Sequence, residues 1–414
     1  MNISAFKVIK SLSLIMDLLS NSVVSHHKKV AYISYKIAEQ MELGKEKIRK
    51  LLAAALIHDI GVFYLDVDIN SPDFDQKDNM HAVTGYYLTK NYRTIGEISD
   101  IIRYHHNDWD NYNNKIPLVT NILHLADRVA FLSEEYDIIY SNNKISVIVK
   151  SKSGTRFWPE AVQAFKELAQ KECFWLNLNS LQVINRELVK VETIFNQVIT
   201  LEQLLDISKV ISYIVDFRSP FTATHSVGIA KVSKELFKLM GASYEEQLIM
   251  EIAGYIHDIG KLVVPTKVLN KPAKLNQNEW KLMRSHSYYT YQVLEPLDDL
   301  PQLKEWASYH HETLDGQGYP FHLHDNELSQ GARIMAVADM FTAMTEDRPY
   351  RKGMKKEKVI NVLSDLVNKN KIDGNIVKVL EENFYRLNKI RQKQQIKNEK
   401  QYIDFKNKIK TAVT

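Results

Sequence analysis

The sequence carries the same pattern of histidines and aspartates two times. His26 lies 32 residues before the pair His58-Asp59, and His225 lies 32 residues before His257-Asp258. His81 lies 24 residues before His105-His106, and His286 lies 24 residues before His310-His311. Leu123-His124-Leu125-Ala126-Asp127 then matches Met335-Ala336-Val337-Ala338-Asp339. Two long copies mean a duplicated domain rather than a solenoid, whose repeats are short and many. The 414 residues also exceed what one ordinary core accommodates. Each half must therefore deliver the same ordered set of imidazoles and carboxylates from several segments to one place.

Helices are the expected means. From His225, the residues Ile229, Val232, Leu236 and Leu239 follow the spacing of one helix face, and Gly241 can stop that helix. Ser243-Tyr244-Glu245-Glu246 has the form of a capping box that opens the next helix, Gln247 to His257. Leu181 to Asp216 carries Val183, Leu188, Val191, Ile194, Val198, Leu201 and Leu204 at helical spacing. Strand-type sequence is scarce; Ile145-Ser146-Val147-Ile148-Val149 is the main candidate because it is rich in β-branched residues. The expected fold class is all-α, with tandem helical bundles joined by long linking helices. The expected divisions are 1–180, a linker at 181–216, a second domain at 217–385 and a basic tail at 386–414.

Composition narrows the function classes. With 45% hydrophobic and 25% charged residues the chain is of soluble globular type. No apolar run reaches membrane-spanning length, so no membrane span is expected. Met1 to Ser20 is broken by Ser and by Asp17 and lacks a small-residue cleavage site, so it reads as a packing helix, not a signal peptide. The single cysteine, Cys173, excludes an internal disulfide framework, reads as a small core residue and fits a reducing, cytoplasmic setting. The net charge of +4 is small, and much of it lies between Arg386 and Lys410, which argues against DNA as a partner. That tail reads as a solvated helical end, with an anionic partner as the alternative.

The second copy supplies His225, His257, Asp258, His286, His310, His311 and Asp339, five imidazoles and two carboxylates. These donors suit Fe, Mn or Zn rather than Ca, and an aspartate after a histidine at a helix end can bridge two ions. A two-metal site is a standard device for phosphodiester hydrolysis. A lone histidine is more often a satisfied core residue, whereas seven ligands in order point to metal. The run His310-His311-Glu312-Thr313-Leu314-Asp315-Gly316-Gln317-Gly318-Tyr319-Pro320 resembles the signature of the HD-GYP phosphodiesterases. That family is a branch of the HD-domain metal hydrolases that cleave cyclic dinucleotides. The resemblance covers about Asp216 to Asn383 and includes His257-Asp258-Ile259-Gly260-Lys261 and Asp347-Arg348-Pro349-Tyr350-Arg351.

The resemblance implies that the seven residues hold two divalent metal ions, Fe or Mn first, with Zn, Ni, Co and Mg open. It implies that Lys261, Arg348 and Arg351 face the substrate phosphates. The residue types agree, since arginines offer charge-assisted donors to phosphate oxygens. Asp258 and Lys261 are the expected catalytic residues. Gly316 and Gly318 permit positive φ or close approach and Pro320 stiffens the loop, which with Tyr319 is expected to shape a substrate lip or a docking surface. The resemblance links that loop to diguanylate cyclase domains. Two positions depart from the family. Phe221 stands where some members carry a Glu that helps hold a third metal, so two ions are expected rather than three. Thr342 stands where many carry an Asp beside the site.

The implied reaction is hydrolysis of a cyclic dinucleotide, cyclic di-GMP first, to linear pGpG, to GMP, or to both. A metal-bridging hydroxide is the expected nucleophile, with Lys261 stabilising the developing charge. Two alternatives stay open: 3',3'-cyclic GMP–AMP or another nucleotide as substrate, and a non-catalytic nucleotide-binding signalling module. The first copy keeps His26, His58, Asp59, His81, His105, His106 and Asp127, a second candidate metal site. It has Val62 in place of Lys261, Asn107-Asp108-Trp109-Asp110-Asn111 in place of the Gly-Tyr-Pro loop, and Tyr136 where the second copy has Arg348. A regulatory or ligand-sensing role is expected for it. The linking helices are compatible with a homodimer and equally with packing inside one chain.

Overall fold

Apolar side chains recurring every three to four residues make helices the main element of the computed structural model, which describes residues 3–19, 25–64, 80–92, 95–136, 138–217, 224–347 and 352–413. Residues 2–199 and 200–410 form two compact units. The division falls inside the segment expected to link the copies: the helix Leu181–Val191 lies in the first unit and Leu201–Phe217 in the second, and the helical run expected across Val198 is broken by the short strand Val198–Ile199.

The two units position their histidines in the same way. In the second, His225 opens the helix His225–Leu239, and His257 follows the helix Tyr244–Ile256. His286 sits within Gln277–Leu294, His310-His311 follow Pro301–Ser308, and Asp339 lies in the middle of Gln330–Thr345. In the first, His26 opens His26–Gln40 and His58 follows Lys45–Ile57. His81 sits in Met80–Thr89, His105-His106 follow Ser99–Arg103, and Asp127 lies within Val119–Glu135. In each unit the helix that opens with histidine packs against both the next helix and the aspartate-bearing one. Buried Ile229, Val232, Leu236, Ile252 and Val337 fill that junction in the second unit. Each such side chain contributes about 1.5–3 kcal/mol on leaving water.

Local signals act as the sequence predicts around Gly241. Gly241 has φ of +91° and follows the helix His225–Leu239. Ser243 Oγ accepts from the Glu246 N–H at 3.3 Å, while Glu246 Oε2 accepts from the Ser243 N–H at 2.8 Å. A second box, Asn276 with Glu279, opens the helix that carries His286. The glycine after each dyad has a steric reason. A Cβ on Gly260 would lie 1.9 Å from the His286 carbonyl oxygen, and one on Gly61 would lie 2.0 Å from that of His81. The turn after the dyad thus rests directly on the helix that bears the third histidine.

Three expectations are corrected. Ile145-Ser146-Val147-Ile148-Val149 lies within the helix Ile138–Ser151, not in a strand. Ile145 and Val149, one turn apart, are buried while Val147 is exposed, so packing at period 3.6 overrides β-propensity. The extended segments among the described residues are Ile3–Ser4 and Val198–Ile199, which pair antiparallel with Ile3 opposite Ile199. Cys173 is exposed, because Phe174, Trp175 and Leu178 take the inward face of the helix Glu172–Leu178. The basic tail is more than a solvated end: in the helix Phe384–Val413, Arg391, Gln395 and Asn398 are buried. Among the described residues no helix is long and apolar enough to cross a membrane.

Candidate active site

The helix ends and mid-points of the second unit bring all seven predicted ligands together. Asp258 is the pivot. Its Oδ2 lies 3.2 Å from His257 Nε2, and its Oδ1 lies 3.5 Å from His286 Nε2 and 3.9 Å from His310 Nε2. On one side, His225, His257 and Asp339 converge, with His225 Nε2 3.3 Å from Asp339 Oδ1. On the other, His286, His310 and His311 converge, with the first two Nε2 atoms 3.3 Å apart. Each oxygen of one carboxylate therefore addresses a separate group of imidazoles.

Backbone contacts fix which ring nitrogen faces inward. Nδ1 of His257, His286 and His310 lies 2.9, 2.6 and 2.8 Å from the carbonyl three residues earlier. A carbonyl only accepts, so each Nδ1 carries the proton and each Nε2 presents a lone pair. Two such lone pairs facing each other, beside an Asp258 Oδ1 that has no hydrogen-bond partner among the described residues, fit bound cations. The donor set therefore suits divalent metal ions.

Electrostatics agree. Burial pushes the His286 imidazole down to about 3 and that of His311 down to about 4, and drives His310 well below its ordinary value. These rings are neutral and ready to ligate near pH 7. Burial alone would raise the Asp258 carboxyl, but His257 and Lys261 hold it well below the usual range. Burial would likewise depress His225, yet Glu346 and Asp339 raise it to about 10.

Lys261 touches the pivot, with Nζ 2.5 Å from Asp258 Oδ2. The Gly-Tyr-Pro loop borders the other side. Tyr319 lies with its ring 4.8 Å from that of His311, and its N–H donates to the His311 carbonyl at 3.2 Å. Gly316 takes φ of +70°. At Gly318 a Cβ would lie 2.4 Å from Glu312 Cα, so the backbone approach admits only glycine. Pro320 follows Tyr319 through a cis peptide. Arg348, Arg351 and Phe221 lie outside the described residues.

Family comparison agrees with this geometry. The HD domain description matches residues 209–376 and again residues 23–132. A 3'3'-cGAMP-specific phosphodiesterase 1 of Vibrio cholerae is 32% identical over 394 residues, 90% of this chain and 90% of that one. The chain is a tandem-HD member of the HD-GYP cyclic-dinucleotide phosphodiesterases. It is accordingly a phosphoric diester hydrolase. A cyclic di-GMP phosphodiesterase of Pseudomonas aeruginosa is 36% identical over 148 residues, 35% of each chain. The crystal structure of a cyclic GMP-AMP specific phosphodiesterase of V. cholerae superposes with a TM-score of 0.66 at 21% identity, over 93% of this chain and 98% of that one. That last likeness is one of fold.

The structure of this HD-GYP protein adds residues that spacing did not single out. Glu346 lies 3.0 Å from His225 Nδ1 and is itself buried, with Gln395 Nε2 donating to it at 3.3 Å. It comes one turn after Thr342, which is fully buried, so an orienting carboxylate is present four residues later than expected. A signal existed: Glu346 follows Asp339 by seven residues, and Glu134 follows Asp127 by the same interval. Two turns of helix place both carboxylates on one face. Glu312 accepts from the Phe321 and Leu323 N–H groups at 2.7 and 3.1 Å and pins the loop. The Arg284 guanidinium lies 5.1 Å from the Tyr319 ring centre, an exposed cation beside the cluster.

The N-terminal HD domain repeats the pattern. His58 Nε2 lies 3.1 Å from Asp59 Oδ2, while Asp59 Oδ1 lies 3.5 Å from His81 Nε2 and 3.7 Å from His105 Nε2. His26 Nε2 lies 2.9 Å from Asp127 Oδ1, and His106 joins His81 at 3.0 Å. Val62 is buried and supplies no charge. In place of the Gly-Tyr-Pro loop, Trp109 stacks with Tyr112 and Trp158 at ring distances of 4.9 and 5.8 Å. Arg156 donates to His124 Nε2 at 3.1 Å, a cation near the cluster that the alignment of copies did not reveal.

Proposed function

We propose that the C-terminal HD-GYP domain hydrolyses a cyclic dinucleotide at a two-metal centre held by His225, His257, Asp258, His286, His310, His311 and Asp339. The observation that carries the reading is Asp258: its two oxygens address two separate groups of imidazoles. Fe or Mn is the first expectation for that imidazole and carboxylate set. Two such cations supply an activated water and neutralise charge on the phosphoryl oxygens. Asp258 holds the two halves at a fixed separation, and the backbone-bound imidazoles keep their lone pairs directed inward. Lys261, at the mouth, stabilises negative charge as the P–O bond breaks. Arg348 and Arg351 are proposed as further phosphate contacts, with Gly316, Gly318, Tyr319 and Pro320 forming the rim.

For the substrate, 3',3'-cyclic GMP–AMP now ranks first. A relative named for it covers 90% of the chain and so both HD domains, whereas relatives named for cyclic di-GMP cover 25–44% of it. Cyclic di-GMP is the second reading, with a linear dinucleotide as the first product in either case. The N-terminal HD domain is proposed as a metal-binding regulatory domain, since it keeps the ligands and lacks the lysine and the Gly-Tyr-Pro loop. The loop is a candidate docking surface for diguanylate cyclase domains.

The test is turnover by purified full-length protein, loaded anaerobically with iron or manganese, beside Asp258→Ala. Each cyclic dinucleotide is supplied separately and products are resolved by chromatography. Metal-dependent linear dinucleotide, absent in the variant, is expected. Turnover at the wild-type rate in Asp258→Ala would sink the assignment.

A further inference from the structure

The first unit contains a buried histidine that has no counterpart in the second. His27 follows His26, and the matching position after His225 is Ser226. His27 is 4% exposed, and neither of its ring nitrogens makes a hydrogen bond among the described residues. Its Nε2 lies 3.4 Å from Asp59 Oδ2, and its ring lies 4.9 Å from that of His58. Its Nδ1 faces Asp17 Oδ1 at 3.9 Å. In the second unit the corresponding oxygen, Asp258 Oδ2, is met by Lys261. An imidazole thus stands at the bridging carboxylate where the C-terminal domain has an ammonium group.

We infer that His27 is an additional metal ligand, and that it makes the N-terminal centre a closed, metal-retaining site. The inference rests on the proposal that this domain binds metal. His26, His58 and Asp59 converge as a group able to hold a metal, and the spacings of His27 and His58 to Asp59 Oδ2 match donors sharing an ion. Metal–nitrogen and metal–oxygen bonds of about 2.0–2.2 Å put neighbouring donors on one ion about 3–3.6 Å apart. His27 Nε2 to Asp59 Oδ2 is 3.4 Å, His58 Nε2 to the same oxygen is 3.1 Å, and His58 Nε2 to Asp127 Oδ1 is 3.6 Å. His26 Nε2 to Asp127 Oδ1 is 2.9 Å. His26, His27, His58, Asp59 and Asp127 then offer five protein donors. The matching group in the second unit, His225, His257, Asp258 and Asp339, offers four. Catalytic metal sites keep a position open for water or substrate, whereas sites that only hold metal are closed by protein ligands. Asp17 beside Nδ1 has the place of the carboxylate that orients a ligating histidine. The N-terminal centre would therefore hold its ion against exchange while the C-terminal one leaves room for chemistry.

The experiment measures metal content of the full-length protein by mass spectrometry. The chain is loaded with manganese and then exposed to EDTA for increasing times. Wild type is compared with Asp258→Ala, with His58→Ala/Asp59→Ala, and with His27→Gln and His27→Ala, all checked for fold by circular dichroism. A chelator-resistant metal fraction is expected in wild type and Asp258→Ala, and none in the His58/Asp59 variant. In folded His27→Gln or His27→Ala the resistant fraction should be lost at least tenfold faster. Cobalt loaded into the Asp258→Ala background should change its visible d–d absorption when His27 is also replaced. Unchanged retention and an unchanged cobalt spectrum in a folded His27 variant would overturn the role of His27. Equal metal content in wild type and the His58/Asp59 variant would instead overturn the premise that the N-terminal domain binds metal.

Discussion

Replacing Glu346 with Gln tests whether a carboxylate outside the ligand set governs the metal centre. Glu346 is buried and lies 3.0 Å from His225 Nδ1, while His225 Nε2 points at Asp339. Removing a carboxylate that orients a ligating histidine typically costs about 10–100-fold in metal affinity or activity. Gln keeps an oxygen able to accept from Nδ1–H and loses only the charge, so Glu346→Gln belongs at the lower end. That is about tenfold, or about 1.4 kcal/mol. Ala also leaves a buried donor unpaired, which costs about 1–3 kcal/mol more and moves Glu346→Ala to about 100-fold or beyond. Manganese titration by calorimetry would read both values, in a His58→Ala/Asp59→Ala background so that the C-terminal centre alone reports. The charge has a second readout. Glu346 helps hold His225 protonated up to about 10, so metal entry at pH 8 must expel that proton. Calorimetry in buffers of different ionisation enthalpy should find fewer protons released in Glu346→Gln than in wild type. Wild-type affinity and wild-type proton release in both folded variants would refute the reasoning.

Further outcomes follow from the same geometry. Between pH 7 and 9, manganese affinity of the C-terminal centre should rise up to tenfold per pH unit, because His225 is protonated below about 10 in the metal-free protein. His286 and His311, pushed down to about 3 and about 4, add no proton release in that window; a flat affinity profile would contradict this. Lys261→Ala should retain metal and lose about 100–1,000-fold in kcat, measured with saturating cyclic dinucleotide. Gly318→Ala should displace the Gly-Tyr-Pro loop, since its Cβ would meet backbone atoms of Glu312 and Thr313 at 2.4 Å. Its metal content should stay at wild-type level while kcat/KM falls about tenfold or more, as misplaced rims commonly cause.

The order of the candidate ligands along the chain was legible because metal chemistry demands particular residue types, and the duplication supplied an internal alignment. Helices were legible where polar caps and apolar spacing agreed, as at Gly241 and Ser243. Ile145 to Val149 misled because β-branched residues suit a strand locally, while burial of Ile145 and Val149 together is a tertiary matter. Cys173 misled because its neighbours, not its own chemistry, decide which face of a short helix turns inward. Glu346 and His27 escaped for a different reason. Neither belongs to the shared ligand pattern, and their value depends on side chains more than 30 residues away: Glu346 on His225, His27 on Asp59. Glu134 and Glu346 at equal offsets were the one trace that sequence carried.

Gln395 links the tail to the centre. It donates to Glu346 Oε2 at 3.3 Å and to the Thr224 carbonyl at 3.1 Å, next to the residue that opens the helix at His225. Arg391, one turn earlier, donates to the Thr345 carbonyl at 2.9 Å. Docking of the last helix and occupancy of the metal site are therefore two equilibria that share a hydrogen-bonded relay. Whatever favours one must favour the other by the same free energy. A fragment cut at residue 385 would lose the relay and bind metal more weakly, even though every proposed ligand lies within it. Conversely, loading the full chain with metal should slow amide exchange and proteolysis in the helix Phe384–Val413, far along the sequence from any liganding side chain.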